Sequence, residues 1–182
     1  MVGAIGRWAE LERLARDAGG EWLTVARLAH SLAIAVGAEL AVEIGVGCGV
    51  VTLWLAEAVA ETGGRLIALE REPERIEQVT AQLEALGLAE RVQLLQGDAH
   101  RTIRTIAGPI GFVRLGADRA GYADYLRVLR ERLRPGAAIV AEGTAAPAAR
   151  VFRTELIEDA RFAWVELPLR GGCLVAVRRS RE

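Results

Sequence analysis

The sequence contains no lysine and no asparagine, and it has only two cysteines, Cys48 and Cys173. Two cysteines so far apart exclude a disulfide framework and a zinc site built on cysteine pairs. No uninterrupted apolar run approaches the roughly 20 residues that a membrane-spanning helix needs. The segment from Met1 to Trp8 lacks the long apolar stretch of a secretory signal. We therefore expect a protein of the reduced cytoplasm that does not enter a membrane.

Charge and composition narrow the function classes further. Apolar residues make up 52% of the chain, and the formal net charge is -1. This balance argues against intrinsic disorder and against nucleic-acid binding by general electrostatics. A length of 182 residues suits one domain with a stable core. We predict a single domain over residues 1–182, with N-terminal helices and a short lid in 1–37 and a cofactor-binding core in 38–182.

The most informative stretch runs from Ala41 to Thr52. An apolar run ends in Glu43, and glycines follow at positions 45, 47 and 49 before a helix-like segment. The pattern predicts a strand, a tight turn and a helix N-terminus. Glycine lets a ligand approach the backbone where a Cβ would block it, and the helix N-terminus offers free N–H groups. We interpret this turn as a nucleotide-type cofactor site.

Two acids indicate which kind of cofactor is bound. The dinucleotide pattern G-x-G-x-x-G fails because its third glycine would fall at Val50. Glu70 ends the second predicted strand and can accept ribose hydroxyls; the alternative is an exposed charge. Asp98 ends the third and can accept the exocyclic amine of adenine, with the Ala99 N–H nearby; the alternative is a helix N-cap. Both acids repel phosphate, which favours a cofactor without one.

The alternation of elements predicts five βα units followed by a terminal hairpin, and therefore a three-layer α/β/α sandwich. The predicted strands cover residues 40–44, 65–70, 92–96, 110–115, 137–141, 162–168 and 173–178. The predicted helices cover residues 8–16, 25–36, 52–61, 74–86, 99–106, 122–133 and 148–159. Thr24 is expected to cap the second helix, and residues 134–136 are expected to form the turn before the fifth strand.

The motifs resemble one family. The series Glu43-x-Gly45-x-Gly47-x-Gly49 is similar to motif I of the class I S-adenosylmethionine-dependent methyltransferases. The runs 116–126 and 133–136 resemble the catechol and caffeoyl-coenzyme-A type O-methyltransferases, and the likeness extends from about Val25 to the C-terminus. It implies a Rossmann-like seven-stranded sheet of order 3-2-1-4-5-7-6 with strand 7 antiparallel. It also implies S-adenosylmethionine as methyl donor, a small-molecule acceptor and often a homodimer.

The cofactor contacts come from the glycine turn, from the ends of strands 2, 3 and 4, and from the lid. The predicted residues are Trp22, Glu43, Gly45, Val46, Gly47, Gly49, Glu70, Arg71, Gly97, Asp98, Ala99 and Gly116. Trp22 is expected either to cover the sulfonium by a cation–π contact or to anchor its helix in the core.

The reacting side departs from the family. The family's metal ligands, an Asp after strand 4 and an Asp-Asn pair after strand 5, align with Gly116, Glu142 and Gly143. Magnesium requires several hard oxygen ligands, so we predict no metal. The family's catalytic Lys aligns with Arg119, which cannot release a proton and is expected to orient an anionic acceptor.

The predicted catalytic residues are Asp118, Arg119 and Glu142. Asp118 and Glu142 are the candidate bases because both follow strands at the active edge; surface charge is the alternative. His100 is expected to lie too far from the methyl group.

The sequence is compatible with four functions. The first is metal-independent methyl transfer from S-adenosylmethionine to a small-molecule oxygen. The alternatives are a precorrin-type carbon methyltransferase, a partner subunit or sensor that binds the cofactor without turnover, and chemistry other than methylation.

Overall fold

A computed structural model of the chain describes residues 4–180. Its seven strands form one sheet of order β3-β2-β1-β4-β5-β7-β6. Strand β7 runs antiparallel to both of its neighbours, whereas the other pairs are parallel. The strands are β1 (Leu40–Ile44), β2 (Arg65–Glu70), β3 (Val92–Gln96), β4 (Ile110–Leu115), β5 (Leu133–Glu142), β6 (Phe162–Leu167) and β7 (Cys173–Arg178). The predicted sheet order and hairpin are thereby confirmed.

Helices cover both faces of the sheet. They are α1 (Ala4–Asp17), α2 (Gly20–Ala35), α3 (Val50–Thr62), α4 (Pro73–Leu86), α5 (Ala99–Thr102), α6 (Tyr122–Leu129) and α7 (Arg150–Glu158). In one core layer, helices α1, α2, α3 and α4 pack against one face of the sheet; this layer includes Trp54 and Phe112. The other joins α6 and α7 to the opposite face and includes Tyr125 and Phe152. The predicted three-layer sandwich is confirmed; residues 1–3 and 181–182 of the predicted domain lie outside the described part.

The second helix begins earlier than predicted. It starts at Gly20, so Thr24 lies inside the helix and does not cap it. Gly19, with φ +112°, reverses the chain directly after α1, and its carbonyl accepts a hydrogen bond from the Trp22 N–H at 2.9 Å. This early start places Glu21 and Trp22 on the first turn of α2.

The fifth strand also begins earlier than predicted. Helix α6 ends at Leu129, and β5 starts at Leu133, where it pairs with Ile110. The pairing then jumps to Phe112 with Ala138, so the predicted turn at 134–136 forms an irregularity inside β5. Between residues 4 and 180, no helix is both long and apolar enough to cross a membrane.

Candidate functional site

The glycine turn adopts the conformation that its sequence predicts. Gly45, Gly47 and Gly49 have φ values of 85°, 60° and 83°, which favour glycine. A Cβ on Gly45 would also overlap the Cβ of Ala117, which follows β4. Gly49 is the N-cap of α3. The turn therefore requires glycine for backbone conformation and, at Gly45, for close packing.

A cleft of about 810 Å³ opens at the carboxyl ends of β1 to β4. It is lined by Ile44, Gly45, Leu69, Glu70, Arg71, Arg75, Gly97, Asp98, Ala99, His100, Ala117, Asp118 and Tyr125. The structure thus brings together a large part of the predicted cofactor set from four separate strand ends. Trp22, Glu43, Val46, Gly47, Gly49 and Gly116 are not among the lining residues.

Glu70 is fastened to the glycine turn. One carboxylate oxygen accepts hydrogen bonds from the N–H groups of Val46 at 3.1 Å and Gly47 at 3.2 Å, and the other accepts from Arg71 N–H at 2.9 Å. Burial raises the pKa of Glu70, but the backbone N–H groups of Glu72, Gly47 and Arg71, together with the charge of Arg75, outweigh it and hold the pKa below its usual range. The carboxylate is therefore ionised and fixed at the end of β2.

Asp98 lines the cleft and also caps α5. Its side chain accepts a hydrogen bond from the His100 N–H at 3.0 Å. The N-cap alternative is thus observed, while the adenine contact of Asp98 stays a prediction.

Asp118 belongs to a cluster on the cleft wall. Its Oδ2 accepts a hydrogen bond from the Tyr125 hydroxyl at 2.6 Å and lies 3.1 Å from His100 Nε2. Asp118 adopts φ +55°, which is uncommon for a residue with a side chain. A Cβ on Gly121 would overlap Asp118 Oδ2 and lie 2.9 Å from His100 Nε2. The absence of a side chain at Gly121 therefore leaves room for Asp118 and His100 to lie together. Burial and the Asp118 carboxylate raise the pKa of Tyr125.

A buried arginine lies behind the glycine turn. Arg114 on β4 donates to Glu142 at 2.7 Å, to Glu43 at 3.0 Å and to the carbonyl of Gly45 at 2.6 Å. Glu43 also accepts a 2.6 Å hydrogen bond from the Thr52 hydroxyl and is fully buried. Glu43 therefore supports the turn from behind and does not face the cleft, which corrects its predicted place in the cofactor site.

The pKa shifts of Glu43 and Arg114 determine the charge of this buried cluster. Burial raises the pKa of Glu43 to about 7, against the opposing effects of Arg114 and Thr52. Burial would lower the pKa of Arg114, but Glu142 and Glu43 raise it above its ordinary value, so Arg114 stays charged. A permanent cation thus lies between the ends of β1, β4 and β5.

Glu142 is paired with two guanidinium groups. It is 3% exposed, and its second oxygen accepts from Arg170 Nε at 3.1 Å. Arg170 also stacks over the ring of Trp22, with its guanidinium carbon 3.4 Å from the ring centroid. These ion pairs argue against Glu142 as a base, although that role stays a prediction. One face of Trp22 is therefore covered by Arg170, and Trp22 also packs against the core, as its alternative role predicts, while the sulfonium contact stays a prediction.

The family's metal site does not fit these residues. A Cβ on Gly116 would overlap the guanidinium of Arg114. A Cβ on Gly143 would overlap Arg119 Nε and lie 2.7 Å from Arg119 Cζ. Two guanidinium groups thus fill the space that ligand side chains at positions 116 and 143 would need. Within residues 4–180, no group of three or more His, Cys, Asp or Glu side chains is arranged to hold a metal.

Sequence reasoning missed Arg114, Arg170 and Tyr125. One signal for Arg114 was available, because it is the single charge in the otherwise apolar strand 110–115. Arg170 and Tyr125 carry no comparable signal, since their partners lie far away in the sequence or on another element.

Comparisons with known proteins agree with the fold. Residues 42–142 match the family model described as "Methyltransferase domain". Catechol O-methyltransferase from Mycobacterium tuberculosis is 35% identical over 136 residues, which cover 74% of this chain and 59% of the relative. A protein named "Probable cobalt-precorrin-6B C(15)-methyltransferase (decarboxylating)" from Methanothermobacter thermautotrophicus is 33% identical over 102 residues, covering 56% of this chain and 50% of the relative. The chain thus spans only 50% to 59% of the length of these curated relatives.

Solved structures extend the likeness over most of the chain. Cofactor-bound Rv0187 from MTB is 26% identical with a TM-score of 0.78, covering 87% of this chain and 81% of that one. Other structures at 22% and 21% identity, solved with S-adenosylmethionine or its demethylated product, support the fold alone.

Proposed function

The chain belongs to the methyltransferase domain family, and we propose that it transfers the methyl group of S-adenosylmethionine to an oxygen atom of a small-molecule acceptor. The observation that carries this proposal is the cleft, in which the glycine turn, Glu70 and Asp98 meet from three strand ends. The cleft is lined by the three carboxylates of Glu70, Asp98 and Asp118 against the two guanidinium groups of Arg71 and Arg75, which suits a nucleoside cofactor without phosphate. The 35% identity to a catechol O-methyltransferase supports oxygen as the accepting atom.

The cleft residues have distinct roles in binding. Glu70 accepts the ribose hydroxyls, which then share or replace the four backbone N–H groups that its oxygens accept in this structure. Asp98 accepts the adenine amine, and the glycine turn lets the amino-acid part of the ligand approach the backbone. When bound, S-adenosylmethionine supplies an electrophilic methyl group on a sulfonium. Methyl transfer then requires mainly that the acceptor oxygen be held in line with that methyl.

Asp118 is the better candidate for a proton acceptor. Its carboxylate lines the cleft, whereas Glu142 is buried between Arg114 and Arg170. The Tyr125 hydroxyl fixes the orientation of Asp118. We propose that Asp118 takes the proton that the acceptor hydroxyl loses, while the electron pair of the broken C–S bond remains on sulfur.

We further propose that the reaction needs no metal. This proposal is supported by the guanidinium groups of Arg114 and Arg119, which fill the space over Gly116 and Gly143. Methyl release from S-adenosylmethionine, measured on a panel of phenols, catechols and carboxylates, should be the same with EDTA and with added Mg²⁺. Activity abolished by EDTA and restored by Mg²⁺ would refute the metal-free mechanism.

Cofactor binding is tested separately by calorimetry with S-adenosylmethionine and S-adenosylhomocysteine. We expect both to bind, and no binding of either would refute the proposed function. Binding without turnover on any acceptor would favour a partner subunit or sensor.

Carbon methylation is the second candidate function. The 33% identity to the protein with the precorrin methyltransferase name favours it specifically. A tetrapyrrole acceptor in the same methyl-release assay distinguishes the two candidates, because only the carbon methyltransferase should turn it over.

We also propose a homodimer in the reduced cytoplasm, with no nucleic-acid partner. Strand β6 is an edge strand, and its Trp164 and Val165 are 44% and 49% exposed, which supports association between copies. Cys48 and Cys173 are both free thiols, which suits a reducing compartment. Light scattering at micromolar concentration should give twice the monomer mass.

A further inference from the structure

Arg119 differs from Arg114 and Arg170, the two arginines that contact Glu142 at the end of β5. Arg114 is paired with Glu43 and Glu142, and Arg170 is paired with Glu142. The side chain of Arg119 is exposed, and its guanidinium makes no ion pair or hydrogen bond with any residue between 4 and 180. The adjacent Asp118 forms no ion pair with it, and the Oδ2 of Asp118 contacts Tyr125 and His100 instead. The Arg119 guanidinium is therefore a cation without an ion-pair partner near the ends of β4 and β5.

The position of this charge is defined by the backbone. The Arg119 guanidinium lies against Gly143, which directly follows β5 with φ +65° and whose missing Cβ leaves the space that the guanidinium occupies. Arg119 directly follows Ala117 and Asp118, which line the cofactor cleft. The unpaired charge is thus held beside the cleft, on the side where β4 and β5 end.

We propose that Arg119 binds a carboxylate group of the methyl acceptor, so that the acceptor is a small organic monoanion. This inference rests on the proposed function and names its substrate class. A planar guanidinium matches a carboxylate with two parallel N–H···O bonds. The Arg119 guanidinium balances one negative charge, and the carboxylate of the adjacent Asp118 disfavours a dianion such as a phosphate ester.

Binding of matched probes to the protein saturated with S-adenosylhomocysteine tests this proposal. The probes are benzoate against benzamide and 3,4-dihydroxybenzoate against its amide, with phenyl phosphate as a third arm, each measured by calorimetry or ligand-observed NMR. We expect the carboxylate of each pair to bind at least tenfold more tightly than the amide. Arg119→Gln should reduce this preference to less than twofold, and Arg119→Lys should restore part of it.

The matched control is Arg65→Gln. Arg65 is exposed at the start of β2, on the opposite edge of the sheet, and its removal should leave the preference unchanged. The proposal is overturned if carboxylates and amides bind equally, if no carboxylate binds, if phenyl phosphate binds more tightly than benzoate, or if Arg119→Gln keeps the preference. Affinity for S-adenosylhomocysteine distinguishes failure of the proposed function from failure of this inference. If the protein does not bind S-adenosylhomocysteine, the proposed function is refuted. If it binds S-adenosylhomocysteine but does not prefer carboxylates to amides, only this inference is refuted.

Discussion

Replacing Gly116 by alanine tests whether the Arg114 guanidinium is fixed where the structure places it. Gly116 has no positive φ, so alanine introduces no backbone strain, and the effect comes from packing alone. The new Cβ would overlap three atoms of the guanidinium, which is held at 2.6 to 3.0 Å from Glu43, Glu142 and the Gly45 carbonyl. The guanidinium would have to move, and those hydrogen bonds would break.

The expected destabilisation follows from the chemistry of this cluster. Breaking a buried ion pair without removing its carboxylates typically lowers stability by about 3–5 kcal/mol. Because Glu142 keeps its contact with Arg170, we expect Gly116→Ala to lower the unfolding free energy by about 3 kcal/mol. Urea unfolding followed by tryptophan fluorescence at pH 7 measures this change.

A double-mutant cycle isolates the cause. In an Arg114→Met background the guanidinium is absent, so adding Gly116→Ala should lower stability by less than about 1 kcal/mol. Gly20→Ala is the matched control, because that glycine lies in α2 with nothing within 4 Å of the added Cβ, and it should be neutral or slightly stabilising. A loss below about 1 kcal/mol for Gly116→Ala in the wild-type background, or an equal loss in both backgrounds, would refute the reasoning.

Three further predictions concern other groups. Glu70→Ala should weaken S-adenosylhomocysteine binding by about 10- to 100-fold in calorimetry, because a hydrogen-bonding carboxylate is lost, whereas Glu39→Ala, at the amino end of β1, should not. Between pH 4.5 and 7, folded Glu43 holds a proton that the unfolded chain releases, so the unfolding free energy should fall as pH rises through this window. Glu43→Gln should remove this contribution from the slope of the unfolding free energy against pH. Burial raises the pKa of Cys173 to about 11, so iodoacetamide at pH 7.5 should label the half-buried Cys48 well before Cys173 in the folded protein, as read by mass spectrometry.

Each of these has a contrary result. An equal loss of S-adenosylhomocysteine affinity in Glu70→Ala and Glu39→Ala would show that the effect of Glu70 is not local. A Glu43→Gln variant with the same pH slope as the wild type would contradict protonation of Glu43 in the folded state. Labelling of Cys173 as fast as Cys48 would contradict its burial.

The elements that could be predicted from the sequence were those with local signals. Apolar runs ending in an acid predicted β1 and β2, and the glycines at 45, 47 and 49 predicted the turn between β1 and α3. The start of α2 and the end of α6 were misplaced, because a positive-φ Gly19 and the pairing of Leu133 with Ile110 override local preferences. Boundaries of this kind depend on contacts that the local pattern does not contain.

The site divides in the same way. Parallel strands bring their carboxyl ends to one edge, so the sequence alone determined that Glu70, Asp98 and the glycine turn would meet there. It also determined that positions 116 and 143 carry no ligand side chains. Only the tertiary structure decided that guanidinium groups fill the space beside Gly116 and Gly143. The reason is that the partners of Arg114 lie 71 and 28 residues away in the sequence. Burial and long-range ion pairing therefore decided that Glu43 and Glu142 hold the Arg114 cation.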